Sequence, residues 1–189
     1  MRYIKNTIKH FTTITKHKTE VGKMCFKSGL YWQGIIHDLS KYSPIEFWSS
    51  VKYYQGDSSP IDAEKKDKGY SLAWLNHRGR NKHHWEYWID NLSEGGKPLK
   101  IPYKYCIEMI CDWIGAGKVY LGDKYTREQT LKFFDEKYNT RQIILHPHTY
   151  DFIREAILRY VNIDGRVTHK NKKLENKFKY EYENKKEMK

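Results

Sequence analysis

The chain has 189 residues, 39% hydrophobic and 31% charged, and is long enough to bury one proper core. No stretch approaches the roughly 18 consecutive apolar residues of a transmembrane helix, and the N-terminal MRYIKNTIKHF lacks the apolar segment of a secretory signal. Its three cysteines are odd in number and form no CxxC pair, which suits reduced thiols. We therefore expect a cytoplasmic protein that does not contact a membrane.

The formal net charge of +12 is unevenly distributed along the chain. Residues 166–189 contain nine Lys or Arg against four Glu and lack a core-forming apolar period. We expect a helical domain over residues 1–165 and a basic C-terminal tail over residues 166–189, either a frayed helix or disordered. A contact between this tail and nucleic acid is the alternative to a solvated tail.

Helical signals begin near the N-terminus. A helix is predicted over about residues 15–27, with Gly29 as its stop, because four residues recur at helical spacing: His17, Val21, Met24 and Cys25. A short apolar segment, LYWQGII, then leads into His37 and Asp38.

Two prolines mark the next helix starts. Ser43-Pro44 and Ser59-Pro60 each place a capping residue before a proline at the first helical position. The first of these helices is expected to run to about Gln55. The second is expected to continue through residues 73–75 towards His77.

Three further helices are predicted in the second half of the chain. One starts at Pro102 and closes near Gly115 and Gly117, and another starts at the capping box Thr126-x-x-Gln129. A last amphipathic helix contains Phe152, Ile153, Ala156, Ile157 and Tyr160. No alternating strand pattern of useful length occurs, so the predicted fold class is all-α.

Histidines and carboxylates recur on separate predicted helices, in the order His17, His37-Asp38 and Asp112. A metal held in a helical bundle needs side chains that converge from facing helices. Adjacent helical residues point about 100° apart, so His37 and Asp38 can share one ion only near a helix end, or where a second ion widens the target. Asp112 lies in the apolar run CIEMICDWIG, where an unpaired carboxylate would be costly, and this favours a ligand role.

The stretch LNHRGRNKHHWEYW supplies three more candidate ligands, His77, His83 and His84. We expect at least one of them to complete a second ion site with Asp38. If His83 and His84 were helical they could not easily both point inward, so only one of the two is expected to bind. Glu108 is expected to be a surface glutamate, although it lies one turn before Asp112. The other histidines are expected to be structural or exposed: His10, His146, His148 and His169.

The pattern His17, His37-Asp38 and Asp112 resembles the ligand pattern of the HD-domain metal-dependent phosphohydrolase superfamily. The three further histidines resemble the extended ligand set of its binuclear branches, including the HD-GYP phosphodiesterases. HDLSK keeps the lysine of their HDxGK motif, at Lys41. The Gly-Tyr-Pro signature is absent, so cyclic-di-GMP is not supported as a substrate. Over about residues 10–160 the chain also resembles a small bacterial and phage family of unknown function that combines HDLSKYSP, HHWEYW, DW…GAGK and ILHP.

The resemblance implies an HD-domain-like helical bundle that hydrolyses a small phosphate ester, with a nucleotide-derived ester expected. Imidazole and carboxylate ligands suit divalent Fe, Mn, Co, Ni or Zn. Asp38 would bridge two ions, and a bridging water deprotonated to hydroxide would attack phosphorus. Lys41, Arg78 and Arg80 would neutralise the phosphate oxygens, unless the arginines are plain surface charge. Trp85 and Trp88 are expected in the core, with stacking on a base as the alternative.

Two other classes of function remain open from the sequence. A nucleic-acid-binding module would use the net charge and the basic tail, and its binding would depend on salt and survive chelation. A catalytically silent metalloprotein would use the metal only to tie helices together. The sequence does not fix the oligomeric state.

Overall fold

The computed structural model describes residues 2–56, 58–92 and 95–185, and the side chains of all of these except Asn91 and Leu92. Within these ranges the chain is predominantly helical, so the predicted all-α class is confirmed. The described helices are α1 (Arg2–Lys27), α2 (Tyr31–Ile36), α3 (Pro44–Lys52), α4 (Pro60–Lys68), α5 (Leu72–Arg80), α6 (Tyr103–Leu121), α7 (Arg127–Asn139), α8 (Pro147–Asn162) and α9 (Lys172–Asn184). No helix in the described part of the chain is long and apolar enough to cross a membrane.

Helix α6 lies at the centre of the bundle and packs against α1, α7, α8 and α9. Every residue from Cys106 to Cys111 is buried, so this helix is covered on nearly all sides. A helix with this burial belongs inside a core and is not at its surface. Carboxylates on α6, such as Glu108 and Asp112, are therefore placed inside the bundle.

Two glycines allow α6 to pack closely against its neighbours. A Cβ on Gly115 would lie 2.4 Å from Val21 Cγ2 on α1, and a Cβ on Gly117 would lie 2.6 Å from Tyr125 Cε2. The predicted helix end near these glycines is wrong, because α6 continues to Leu121. Here the missing side chains permit close packing and do not terminate the helix.

Other boundaries also differ from the predictions. Helix α1 begins at Arg2, well before residue 15, and the helix expected from Ser59-Pro60 to His77 is two helices. Gly69, with φ of 79°, ends α4 in the left-handed conformation, and the Ser71 side chain then caps α5 by accepting from the Trp74 amide. A short antiparallel hairpin pairs β1 (Ile89–Leu92) with β2 (Gly95–Pro98), where no strand was expected.

Several local predictions are confirmed. Thr126 and Gln129 form the capping box of α7, and Ser43 and Ser59 occupy the cap position before helices that start at proline, although neither side chain makes a capping hydrogen bond. Helix α8 buries the apolar residues that were expected to form its core face: Phe152, Ile153, Ala156, Ile157 and Tyr160. The three cysteines are buried and unpaired.

Part of the basic tail is a helix attached to the bundle. In α9, Tyr182 is buried and its ring centroid lies 4.3 Å from that of Phe152, while Phe178 stacks on the same ring at 4.9 Å. Removing residues 166–189 would thus remove core packing as well as positive charge. Residues 186–189 of the predicted tail lie outside the described residues.

Candidate metal centre

Three helices and one tight turn bring four of the predicted ligands together. His17 is on the buried face of α1, Asp112 is on α6, and His37-Asp38 follow the end of α2. His17 Nε2 lies 2.9 Å from Asp112 Oδ1 and 3.2 Å from Asp38 Oδ2, and His37 Nε2 lies 3.3 Å from that same Oδ2. Two ligands that share an ion at 2.0–2.2 Å lie at most about 4.4 Å apart, so these separations suit one ion. We call these four residues the His17 group.

The backbone at Asp38 explains how two adjacent side chains reach one point. Asp38 has φ of 55°, a left-handed conformation that is uncommon outside glycine but tolerated by aspartate. It lies between the end of α2 at Ile36 and a 3-10 turn that begins at Leu39. His37 and Asp38 are thus at a helix end, which is one of the two conditions that their spacing imposes for a shared ion.

The three histidines of the second cluster converge on the other oxygen of Asp38. His77 Nε2 lies 3.3 Å and His83 Nε2 lies 3.5 Å from Asp38 Oδ1. With His84, they offer ligand atoms that all lie within 4.8 Å of one another. We call Asp38, His77, His83 and His84 the His77 group.

His83 and His84 both contribute ligand atoms to the same cluster, which they could not easily do on a helix. Residues 81–84 form a turn and not a helix, so consecutive side chains are not held 100° apart. The two rings lie 4.3 Å apart by their centroids, and each also faces His77. Both histidines therefore belong to the same cluster.

Several buried atoms in the two groups lack an ordinary partner. His37 Nε2, Asp38 Oδ1, His83 Nε2 and His84 Nε2 have no hydrogen-bond partner within the described part of the chain. Buried polar atoms are nearly always paired, because an unpaired one costs free energy. All four are atoms that ligate metals. The donor set of imidazoles and carboxylates, without thiolate, fits a divalent transition metal, and these buried clusters can hold a metal ion.

Glu108 connects the two groups. Its Oε1 lies 3.1 Å from His37 Nδ1 and 3.2 Å from His83 Nδ1, and the residue is 5% exposed, so its predicted place on the surface is wrong. Burial alone would raise the pKa of Glu108, but the hydrogen bonds from both histidines lower it. When Nδ1–H of each ring is donated to the carboxylate, the neutral form of the ring has its Nε2 lone pair available for an ion.

Glu46 has the equivalent role for His77. Its Oε2 lies 2.8 Å from His77 Nδ1 and also accepts from Ser40 Oγ at 3.0 Å. Asn81 Nδ2 donates to Ser40 Oγ and to the His77 carbonyl, each at 2.8 Å. This network was missed in the sequence, where Glu46 is an ordinary acid in the first turn of a helix. Carboxylates that orient ligating histidines are a regular part of metal sites.

Burial and neighbouring charges shift the pKa values of three site residues, Asp38, His37 and His84. Burial alone would raise the pKa of Asp38, but His37, Lys41 and His77 hold it well below its usual range. Burial would lower the pKa of His37, but Asp38, Asp112 and Glu108 raise it well above its usual value, so metal binding at this ring displaces a proton. Burial, reinforced by His83 and His77, holds the pKa of His84 well below its usual value and keeps that ring neutral.

A cavity of about 390 Å³ opens beside both groups, within the usual size of a small-molecule site. The site residues that line it are His17, Lys41, Glu46, His77, His84 and Asp112. Aromatic side chains cover much of its wall: Tyr54, Trp74, Trp85, Trp113, Tyr120 and Phe133.

The predicted phosphate-binding residues divide into two sets in space. Lys41 lines the cavity, and its Nζ lies 2.5 Å from Asp38 Oδ2. Among the described residues, the cationic side chains on this wall are Lys41, Lys65 and Lys137, and neither Arg78 nor Arg80 is one of them. Arg80 is exposed near the end of α5.

The two tryptophans also differ. Trp85 lines the cavity. Trp88 instead donates from Nε1 to the Lys82 carbonyl at 2.8 Å, and its ring centroid lies 5.8 Å from that of Tyr105. Only Trp85 is therefore placed to touch a ligand.

The chain belongs to the Family of unknown function (DUF5662), which its residues 6–159 match. Neither a curated protein nor a solved structure matches the chain. The matched span contains both ligand groups and the carboxylates Glu46 and Glu108, and it ends within α8.

Proposed function

We propose that this chain is a metal-dependent phosphohydrolase that acts on a small phosphate ester, with a nucleotide-derived ester as the favoured substrate. The proposal is carried by one observation, the division of the Asp38 carboxylate between two groups. Its Oδ2 lies 3.2 Å from His17 Nε2, and its Oδ1 lies 3.3 Å from His77 Nε2. A carboxylate whose two oxygens face different ligand sets is suited to bridge two ions.

Each group would hold one ion. His17, His37 and Asp112 would share the first with Asp38 Oδ2, and His77, His83 and His84 would share the second with Asp38 Oδ1. The donors suit Fe, Mn, Co, Ni or Zn. Such an ion pair, when bound, polarises phosphoryl oxygens and brings the pKa of water near neutrality.

Lys41 would bind the phosphate. Burial would lower its pKa, but Asp38 and Asp112 raise it, so the ammonium group stays charged at neutral pH. Its side chain is one-quarter exposed and lines the cavity, so a substrate can reach it. A fixed positive charge beside the reacting phosphate stabilises the charge that develops on its oxygens.

Two further lysines favour an anionic ligand. Lys65 and Lys137 line the same cavity, and Lys65 is exposed. Positive charge along a concave wall raises the local concentration of anions. In this proposal Lys65 and Lys137 have the part that the sequence suggested for Arg78 and Arg80.

The test is metal analysis of protein purified without chelators, followed by a phosphate-release screen. We expect about two ions per chain, as the bridging proposal requires. Hydrolysis should release phosphate from mononucleotides or aryl phosphates, or should convert cyclic nucleotides or dinucleotides to phosphate monoesters, detected by chromatography. A fully metallated protein that hydrolyses none of them would contradict the proposal and favour the silent metalloprotein.

Two variants separate the roles of the site residues. Asp38→Asn should lose both metal and turnover, because the bridging carboxylate is gone. Lys41→Ala should keep the metal and lose about 10²–10³ in rate, the usual effect of removing one group that stabilises developing charge. Equal loss of metal in both variants would contradict this division.

A further inference from the structure

Helix α1 carries an apolar stripe that the rest of the bundle does not cover. Ile4, Ile8 and Phe11 follow one another at four and three residues, so they lie on one side of the helix. Ile4 is 67% exposed and Ile8 is 62% exposed. Because α1 buries a different side, which includes Ile14 and Val21, packing in the core does not account for this stripe.

The stripe continues onto the segment that leads into α3. The Phe11 ring centroid lies 5.8 Å from that of Tyr42, and Tyr3 stacks on Trp48 with centroids 6.1 Å apart. Ile45 is three residues from each of Tyr42 and Trp48, and its side chain is exposed. We call the exposed members of this surface the apolar patch: Tyr3, Ile4, Ile8, Phe11, Ile45 and Trp48. A contiguous apolar patch, unlike scattered apolar residues, indicates an interaction site.

The surface around the apolar patch is strongly basic. Residues 2–56 contain nine Lys or Arg and three Asp or Glu. Two of the three carboxylates, Asp38 and Glu46, are buried in the metal centre, and the third, Glu20, accepts from Lys23 at 2.6 Å. The exposed charge of this region is therefore almost entirely positive, and it suits a negatively charged partner.

The lysines nearest to the apolar patch form a stripe beside it. Lys5 and Lys9 are exposed and directly follow Ile4 and Ile8, so they lie about 100° round the helix from them. A helix with apolar residues on one side and lysines beside them is suited to lie in the interface of an anionic bilayer. The patch also contains Trp48, a residue type that is enriched at the depth of the lipid headgroups.

A second copy of the chain fits the apolar patch less well than a bilayer does. In a two-fold dimer the same surface of each copy faces the other, so the lysines beside the patch would be brought together. An anionic bilayer instead offers an apolar layer to the patch and negative charge to the lysines. The lack of a long apolar run in the sequence argues only against a helix that crosses the bilayer, because a helix at its surface needs an apolar stripe and no continuous run.

We infer that the apolar patch and the lysines beside it dock the protein on an anionic lipid surface, with the N-terminal half of α1 in the plane of the interface. Ile4 and Ile8 enter the boundary between headgroups and acyl chains, and Lys5 and Lys9 bind the headgroups. This departs from the expectation of no membrane contact, which rested on the absence of a long apolar segment. No patch residue is a member of either ligand group, so the inference does not depend on the proposed function.

The experiment is co-sedimentation of the full chain with lipid vesicles. The vesicles contain phosphatidylcholine alone, or phosphatidylcholine with about one-third of the anionic lipid phosphatidylserine. The protein should bind the anionic vesicles at least about tenfold more tightly, since each lysine near such a surface contributes roughly fivefold. The binding should weaken as the salt concentration is raised, because salt screens the attraction.

Two double variants separate the apolar and the charged parts of the surface. Ile4→Ser with Ile8→Ser should weaken binding to the anionic vesicles at least about tenfold, because burial of one such side chain is worth that much. Lys5→Gln with Lys9→Gln should remove roughly fivefold per lysine and leave the weak binding to neutral vesicles unchanged. All four side chains are exposed, so the thermal midpoint should stay that of the wild type.

Matched controls lie elsewhere on the surface. Ile163→Ser replaces an isoleucine that is 68% exposed just after α8, and Lys177→Gln replaces a lysine on α9 whose side chain is 72% exposed. Both variants should bind the anionic vesicles like the wild type. A loss with Lys177→Gln as large as that with the lysine pair would assign the binding to the basic tail and overturn the inference.

Three further results would overturn the inference. The first is equal binding to the two kinds of vesicle, and the second is binding to anionic vesicles that the isoleucine pair does not change. The third comes from sedimentation velocity without lipid: a dimer that the isoleucine pair converts to a monomer would assign the apolar patch to a contact between two copies.

Discussion

The two ligand groups around Asp38 are held in place by different kinds of structure. In the His17 group, His17 and Asp112 are on α1 and α6, two long helices that pack closely in the core. In the His77 group, His77 is in the last turn of a nine-residue helix, and His83 and His84 follow in an irregular turn.

The difference shows two ways to fix an imidazole. Helix packing at Val21 and Gly115 sets the position of His17, because closely packed helices cannot shift. A polar network of Glu46, Ser40 and Asn81 sets the position of His77. Glu108, like the shared ligand Asp38, contacts a ring of each group. Variants should therefore affect one group, the other, or both, according to which structure they disturb.

The largest difference between the two groups is expected in variants that each remove one ligand, from one group or from the other. His17→Ala should abolish the first ion and leave the second, and His77→Ala should do the reverse, because each ring faces a different oxygen of Asp38. Each loss of metal affinity should exceed the roughly 10–100-fold loss that follows when a hydrogen-bond partner of a ligand is removed. Metal content per chain after dialysis measures this directly, with His148→Ala, outside both groups, as the control. Loss of both ions in either variant would show that the two groups bind only together.

The difference between the groups also decides what could be predicted from sequence. His17 and Asp112 were found because helical periodicity places side chains on a buried face, and the apolar run around Asp112 made an unpaired carboxylate costly. The same run contains Glu108, so its burial was predictable by the same argument, but its charge also suits a helix surface. Local periodicity does not decide between these two positions.

The His77 group was only partly predictable. The ligand types and their number were visible in LNHRGRNKHHWEYW, but the limit to one ligand from His83 and His84 depended on helical geometry, and residues 81–84 form a turn. Glu46 was missed because its partner, His77, is 31 residues away and no local pattern links them. Gly115 was misread as a helix end, since a glycine that permits close packing resembles one that terminates a helix.

Substitution of the carboxylates that bond the ligand histidines tests the difference between the two groups further. Glu108→Gln should weaken both ions by about 10–100-fold, because it removes the charge that orients His37 and His83 together. Glu46→Gln should weaken only the second ion, by a similar factor. Competitive titration with a chelator of known affinity measures both.

The control for these glutamates is Glu155→Gln, since the Glu155 side chain is 64% exposed and far from both groups in sequence. It should change neither affinity. If Glu108→Gln weakened only one ion, the two groups would be energetically independent despite their shared carboxylate.

A smaller effect is expected from a substitution that crowds the contact between α1 and α6. Gly115→Ala would place a Cβ 2.4 Å from Val21, and such overpacking costs about 1–3 kcal/mol, offset by up to about 1 kcal/mol of helix propensity. Thermal unfolding of metal-free protein should show a midpoint lower by a few degrees, at about 2–4 °C for each kcal/mol. Gly79→Ala in α5 has open space at the Cβ position and should leave the midpoint unchanged or raised. A higher midpoint for Gly115→Ala would mean that close packing does not fix the His17 group.

The smallest effect is expected from Asn81→Ala. Asn81 holds the start of the turn by donating to Ser40 Oγ and to the His77 carbonyl, but the 2.8 Å contact between His77 and Glu46 does not depend on it. Loss of such contacts is worth about 0.5–1.5 kcal/mol each, so the second ion should bind severalfold more weakly and the first ion normally. The same chelator titration measures this, with Glu46→Gln as the reference. A loss as large as that of Glu46→Gln would mean that the turn orients His77 as strongly as the carboxylate does, because Asn81 Nδ2 contacts both the His77 carbonyl and, at 3.2 Å, the His77 ring at Nδ1.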